Sequence, residues 1–153
     1  MQKVFIGSDH AGFEYKEAIK EALVADGFEV IDKGNAKYEE LDDYPDYIYP
    51  VAKAVSEDLE NSVGIVLGGS GQGEAFCANK VKGIRAVIGF SEFVVKASRE
   101  HNDANVLSFG QRTITKAQAV EWSKLWLKTH FPGDERHVRR IEKVKELEEK
   151  LFK

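Results

Sequence analysis

The sequence predicts an α/β fold: a five-stranded parallel sheet between two helical layers, a three-layer single domain with a C-terminal helical extension. Three observations carry this. Short apolar runs alternate with longer stretches of helical periodicity, the pattern of strand–helix–strand units whose crossovers cover both faces of a parallel sheet. A length of 153 residues suits one domain and needs no metal or disulfide to hold its core. A hydrophobic content of 42% beside 31% charged residues belongs to a folded chain and argues against disorder.

Each element has its own signal. Val4-Phe5-Ile6 reads as the first strand and runs into the polar turn Gly7-Ser8-Asp9-His10-Ala11-Gly12. Residues 13–26 carry apolar positions at helical spacing (Phe13, Ala18, Ile19, Ala22, Leu23) and stop at Gly27. Phe28 to Ile31 is a second strand, and a polar loop through Asp42-Asp43-Tyr44-Pro45 leads to a helix near 46–60. Val63 to Leu67 is the most apolar strand, followed at once by Gly68-Gly69-Ser70-Gly71-Gln72-Gly73 and a short helix near 74–81. Arg85 to Ile88 and Asn105 to Ser108 are the last strands, with helices around 91–101 and from Thr115 to about Thr129. Pro132-Gly133 ends the core at about residue 131. In the helix expected over 135–152, Val138, Ile141, Val144, Leu147 and Leu151 form one stripe that must be covered by its own domain or by a partner. Parallel sheets bind ligands beyond the carboxyl ends of their strands, so the loops 7–12, 68–74 and 101–112 are expected together at one edge.

Charge and cysteine narrow the classes. The net charge is −4. Residues 136–153 hold seven basic against four acidic residues, yet the glutamates interrupt the basic run and Phe152 is its one aromatic, which argues against nucleic acid. No apolar run reaches membrane-spanning length, and the first residues lack a signal-peptide layout, so a cytoplasmic protein is expected. Cys77 is a lone cysteine, which excludes an intrachain disulfide and a multi-cysteine zinc site.

The glycine loop suits an anion or a developing oxyanion, because it exposes backbone N–H groups at a helix start; a tight structural turn is the alternative. It is no dinucleotide fingerprint, since Glu74 and Phe76 stand where the third glycine would fall, and no P-loop, since Glu74 replaces the lysine. Ser70 lacks the G-x-S-x-G elbow of a hydrolase. Glu74 complements the helix dipole or serves as a base. Asp9-His10 and His101-Asn102 are local hydrogen-bonding groups or catalytic ones. With no H-x-x-x-H spacing, no metal is expected. Arg136 and Arg140, four apart, share a helical face that clamps a phosphate or pairs with nearby glutamates; Arg139 points elsewhere.

Taken together, Gly7 to Gly12, Asp43-Tyr44-Pro45, Gly69 to Glu74, Ala78-Asn79-Lys80, Gly83-Ile84-Arg85-Ala86, His101 to Leu107, and Arg136-His137 through Arg140 resemble the ribose-5-phosphate isomerase B family, which includes galactose-6-phosphate isomerase subunits. The resemblance runs in order from residue 3 to about residue 142. It implies a Rossmann-like fold and interconversion of ribose 5-phosphate and ribulose 5-phosphate through an enediolate, without metal or organic cofactor. Hexose 6-phosphate isomerisation (allose or galactose 6-phosphate) and non-catalytic sugar-phosphate binding are the alternatives. By the same resemblance Asp9 assists ring opening beside His10, and His101 is the acid that opens the furanose. Asn102 holds hydroxyls, Tyr44 borders the sugar, and Gly69, Ser70, Gly71, Gln72 and Gly73 cradle the enediolate. Arg112, Arg136 and Arg140, helped by His137, hold the phosphate. One branch of the family carries a cysteine base where this chain has Gly68; the other uses a glutamate at the loop's end, which Glu74 matches. A homodimer or larger assembly with composite active sites is also implied, the C-terminal helix packing on the partner subunit.

Overall fold

A computed structural model describes residues 2–152. All five expected strands form: β1 (Lys3–Ser8), β2 (Glu29–Asp32), β3 (Ser62–Gly68), β4 (Ala86–Ile88) and β5 (Val106–Gly110). They lie in the order β2-β1-β3-β5-β4, every neighbouring pair parallel. The helices are α1 (Phe13–Ala25), α2 (Pro45–Ser56), α3 (Gln72–Ala78), α4 (Glu92–Asn102), α5 (Lys116–Lys128) and α6 (Glu135–Leu151). Among the described residues no helix is long and apolar enough to cross a membrane.

Strand alternation sorts the core into two layers. Val4, Ile6, Ile65, Leu67, Leu107 and Phe109 pack with α1, α4 and α5, whose Ile19, Leu23, Val95, Trp122 and Trp126 are buried. Phe5, Val66 and Val106 face the other way, against Ile48, Val51 and Val55 of α2 and Ala78 of α3. Each such side chain taken out of water stabilises the fold by ~1.5–3 kcal/mol. The central strand β3 is buried along its whole length, which explains its unbroken apolar reading.

The ends of the elements follow local hydrogen bonding. β1 continues past the expected Ile6 because Ser8 donates its N–H to Gly34 (2.8 Å) and accepts from Asn35 (2.9 Å). A short 3-10 turn over His10–Gly12, which no periodicity announces, links β1 to α1. Helix α2 opens with Pro45 in its first turn, where the missing N–H costs nothing, and ends at Ser56, earlier than expected, in the turn at 57–61. Helix α3 starts two residues early because Gly71 caps it at φ 80°, a left-handed conformation open to glycine. Thr115 and Gln118 close a reciprocal capping box on α5.

The strand order puts β1 and β3 side by side at the centre, and their following helices, α1 and α3, fall on opposite faces. A crevice therefore opens between the loops after β1 and β3. Helix α6 lies apart from this core. His137 is buried and Glu148 accepts the Gly83 N–H (3.0 Å), yet Val138, Val144, Leu147 and Leu151 stay 39–75% exposed. Its own domain covers little of the stripe.

Candidate active site

The crevice holds a cavity of about 320 Å³ walled by Asp9 and His10 after β1, Tyr44 from the 33–44 loop, Gly69, Ser70, Gly73 and Glu74 after β3, and Arg112 and Thr113 after β5. The glycine loop fits there for reasons of space. A Cβ on Gly73 would lie 2.9 Å from the Tyr44 ring, and one on Gly69 would lie 2.8 Å from the Arg112 guanidinium. The loop is also tied to the end of β5: Gln111 and Arg112 donate their N–H groups to the carbonyls of Gly68 (2.8 Å) and Gly69 (2.9 Å), and Ser108 Oγ donates to Gly71 (2.7 Å). Gln72 stands exposed at the head of α3.

Glu74 is 4% exposed. Its carboxylate fills the space above Gly68, where a Cβ would sit 1.9 Å from Oε1 and 2.2 Å from Cδ. Burial pushes its pKa up, Asp9's charge adds to that, and backbone hydrogen bonds at its own residue and Gly71 pull the other way; the net direction is upward. Dipole complementation, the alternative reading, does not by itself bury a carboxylate in the floor of a cavity. Asp9, also buried, accepts from the N–H groups of Ala11 (3.0 Å) and Gly12 (3.3 Å), capping the 3-10 turn. Burial raises its pKa too, aided by Asp42 and opposed by His10 and those two N–H groups. Two neighbouring carboxylates that each favour a proton suit acid–base chemistry. Cys77, half-buried on α3, has its thiol pKa raised by burial and by Glu74, which leaves it no thiolate reagent.

The other predicted residues stand elsewhere. His101 and Asn102 end α4, which carries the chain back to the amino edge of the sheet before β5 begins. There Arg85, just before β4, donates from Nε to the Asn102 carbonyl (3.1 Å). His101 stacks on His137 of α6, ring centroids 4.7 Å apart and planes within 18°. Burial and the nearby guanidinium groups of Arg136 and Arg140 lower the His137 pKa. Arg136 and Arg140 are exposed, as is Arg139. Asn102, Arg140 and Ile141 border a groove of about 360 Å³ along β4. The expectation that loop 101–112 joins the other two loops at one edge is therefore corrected. Its last residues do; His101 and Asn102 lie at the far end of β5, roughly 15 Å away at 3.3 Å per residue. A helix crossing a parallel sheet must end at the edge opposite the one it left.

Sequence reading missed Asp42, Asn35 and Thr113. Asp42 adjoins the Asp43-Tyr44-Pro45 motif, but its contacts are with His10 and Asn35, residues 32 and 7 positions away. Asp9, His10 and Asp42 are the one set among the described residues with metal-like convergence, their ligand atoms within 4.8 Å. A hydrogen bond between His10 Nδ1 and Asp42 (2.7 Å) accounts for that convergence.

A family model described as ribose/galactose isomerase matches residues 4–144. The chain belongs to this family. The ribose-5-phosphate isomerase B of Escherichia coli K12 is 41% identical over 98% of this chain and 99% of its own. Among solved structures, ribose-5-phosphate isomerase B of Mycoplasma genitalium with bound ribulose-5-phosphate superposes with a TM-score of 0.93 at 37% identity, covering 96% of both chains. The Clostridium thermocellum ribose-5-phosphate isomerase B gives 0.92 at 42% identity, over 98% of this chain and 99% of that one. The Rossmann-like, three-layer fold read from the sequence is thus the fold of this isomerase family.

Proposed function

We propose that this protein is a ribose-5-phosphate isomerase in which Glu74 moves the proton. The observation that carries the reading is a buried carboxylate at the floor of a cavity whose walls are a glycine loop, Ser70 and Arg112. The chemistry follows from that layout. With the sugar open, Glu74 takes the proton from C2 while the C2–H electrons move to form the C1–C2 double bond and load negative charge on O1. Ser70 and the N–H groups of residues 69–73 face that charge where it develops, which is where such donors lower a barrier most. Glu74 then returns the proton to C1, the O2 proton passes to O1, and ribulose 5-phosphate results. A buried carboxylate whose pKa is pushed up holds a proton more readily than a free one, which suits a group that takes the proton in one half-step and returns it in the next. Asp9 assists ring opening, and Arg112 binds the phosphate.

The remaining groups enter from a second copy of the chain. His101, Asn102, His137, Arg136 and Arg140 form one cluster at the amino edge, out of reach of Glu74 in the same subunit. The uncovered stripe of α6 gives a second copy a surface on which to pack, and a dimer that docks one subunit's amino edge against its partner's cavity completes two sites at once. A cytoplasmic setting goes with this reading, since its substrate is a phosphorylated sugar. The decisive experiment is a parallel steady-state assay on ribose 5-phosphate, allose 6-phosphate and galactose 6-phosphate. Ribose 5-phosphate is expected to give the highest kcat/KM; a higher value on a hexose phosphate would replace the substrate, and no turnover on any would leave a binding protein.

A further inference from the structure

Asp42 is nearly closed off, its side chain 2% exposed, although it lies in a polar loop. Its Oδ1 accepts from the His10 backbone N–H (3.0 Å) and meets the ring at Nδ1 (2.7 Å), while Oδ2 accepts from the Asn35 side-chain amide (3.3 Å). Asn35 is fixed in turn. Its N–H donates to Ser8, and its carbonyl accepts from Lys16 Nζ (2.7 Å). Lys16 is wholly buried and directs its ammonium also at both oxygens of Asp32 (3.0 and 2.8 Å), with Glu17 Oε1 at 3.1 Å, so none of its three protons lacks an acceptor. A buried ammonium left unmatched would be strongly destabilising, so this arrangement is tightly specified. A continuous line of bonds therefore runs from the interior of α1 through Lys16, Asn35 and Asp42 to His10 in the cavity wall.

We propose that Asp42 is a positioning residue that fixes His10 as the Nδ1–H tautomer and leaves Nε2 to the substrate. An ionised carboxylate only accepts hydrogen bonds, so the proton between the two groups sits on Nδ1, and in the neutral ring Nε2 is then a bare acceptor. Burial works against the Asp42 charge, but the His10 N–H, the His10 ring and Asn35 hold its pKa below the ordinary range, so the acceptor stays ionised. His10 lies beside Asp9 in the cavity wall, and in this form its Nε2 takes a hydrogen bond or a proton from a sugar hydroxyl; the opposite tautomer would present a donor there instead. Asp42 does not line the cavity and acts through the ring.

The proposal rests on the sugar-phosphate reading of the cavity, so the test separates the two. Full-length protein labelled with 15N-histidine is observed without ligand at pH 9, above the ordinary histidine range, by long-range 1H–15N correlation. His10 is identified by the signals lost in His10→Ala. The wild type is expected to hold His10 with the proton on Nδ1, and Asp42→Ala to release it towards the Nε2–H form that an unconstrained ring prefers. In steady-state assay, Asp42→Ala should lower kcat/KM for ribose 5-phosphate about 10- to 100-fold, the range for removing a group that orients a functional histidine. The loss should fall mainly on kcat. Added to His10→Ala, the same change should cost less than about twofold more, because the two act as one unit. If Asp42→Ala does not fold, Asp42→Asn, which keeps the size and removes the charge, takes its place in every arm. A wild-type His10 with its proton on Nε2, or losses that multiply in the double variant, would overturn the proposal. Wild-type protein inactive on ribose 5-phosphate would overturn the functional reading, while the tautomer measurement still decides the role of Asp42.

Discussion

Adding a single methyl group at Gly68 probes the proposed base without touching its chemistry. Gly68 has no left-handed backbone angle, so alanine costs the strand no torsional strain. The new Cβ would lie 1.9 Å from Glu74 Oε1, 2.2 Å from Cδ and 2.6 Å from Oε2, where ordinary contact begins near 3.4 Å. The nearest oxygen must therefore retreat by about 1.5 Å, and a displacement of roughly 1 Å in a reacting group can cost ~100-fold in rate. Gly68→Ala is expected to lower kcat on ribose 5-phosphate by about 100-fold, or ~2.7 kcal/mol in the barrier. Affinity for a non-isomerisable sugar phosphate, measured by calorimetry, should stay within about threefold, because the new methyl meets Glu74 and not Arg112. Solvent exchange at substrate C2 should fall in step with kcat, which ties the loss to proton abstraction. A Gly68→Ala enzyme with more than a third of wild-type turnover would refute the placement of the base, because the carboxylate cannot keep its place over position 68 once the methyl is there.

Glu74→Gln should abolish C2 exchange and yet raise thermal stability at pH 8. Burial lifts the folded-state pKa of Glu74, so its contribution to stability is full below the unfolded value of about 4.3 and is lost as pH rises through the folded one. The glutamine variant should therefore melt above the wild type at pH 8 and with it at pH 4; an equal melting temperature at pH 8 would contradict the burial cost. Mixing inactive Glu74→Gln with inactive Arg136→Ala/Arg140→Ala, after verified subunit exchange, should restore about a quarter of wild-type activity. Half the dimers are then mixed, each with one working site of two; no recovery would assign the arginines to their own subunit's site.

The architecture was legible because the two periodicities of this chain are so different. Apolar triplets such as Val4-Phe5-Ile6 and the buried run of β3 could not be helical faces, and Ile19 and Leu23 recur at helical spacing. What escaped was long-range. Nothing local in the sequence marks Lys16 as buried, since its partners Asp32 and Asn35 arrive from a different strand and loop. Asp42 was visible only as a neighbour of Asp43-Tyr44-Pro45. Of the site positions named from the sequence, Asp9, His10, Tyr44, Gly69, Ser70, Gly73, Glu74 and Arg112 line one cavity, but placing His101 at the same edge ignored the direction in which α4 must run. Motif spacing gives residue types; strand polarity decides which end of the sheet they reach.

The occupied space over Gly68 also constrains how this family can change. A side chain gained at position 68 meets the Glu74 carboxylate at 1.9 Å, and a carboxylate lost from position 74 empties that space. With Glu74 as the proposed base, either step alone is expected to lower activity, so the two positions are expected to change as a pair. Positions 68 and 74 thus share one volume, and only one of the two side chains can fill it.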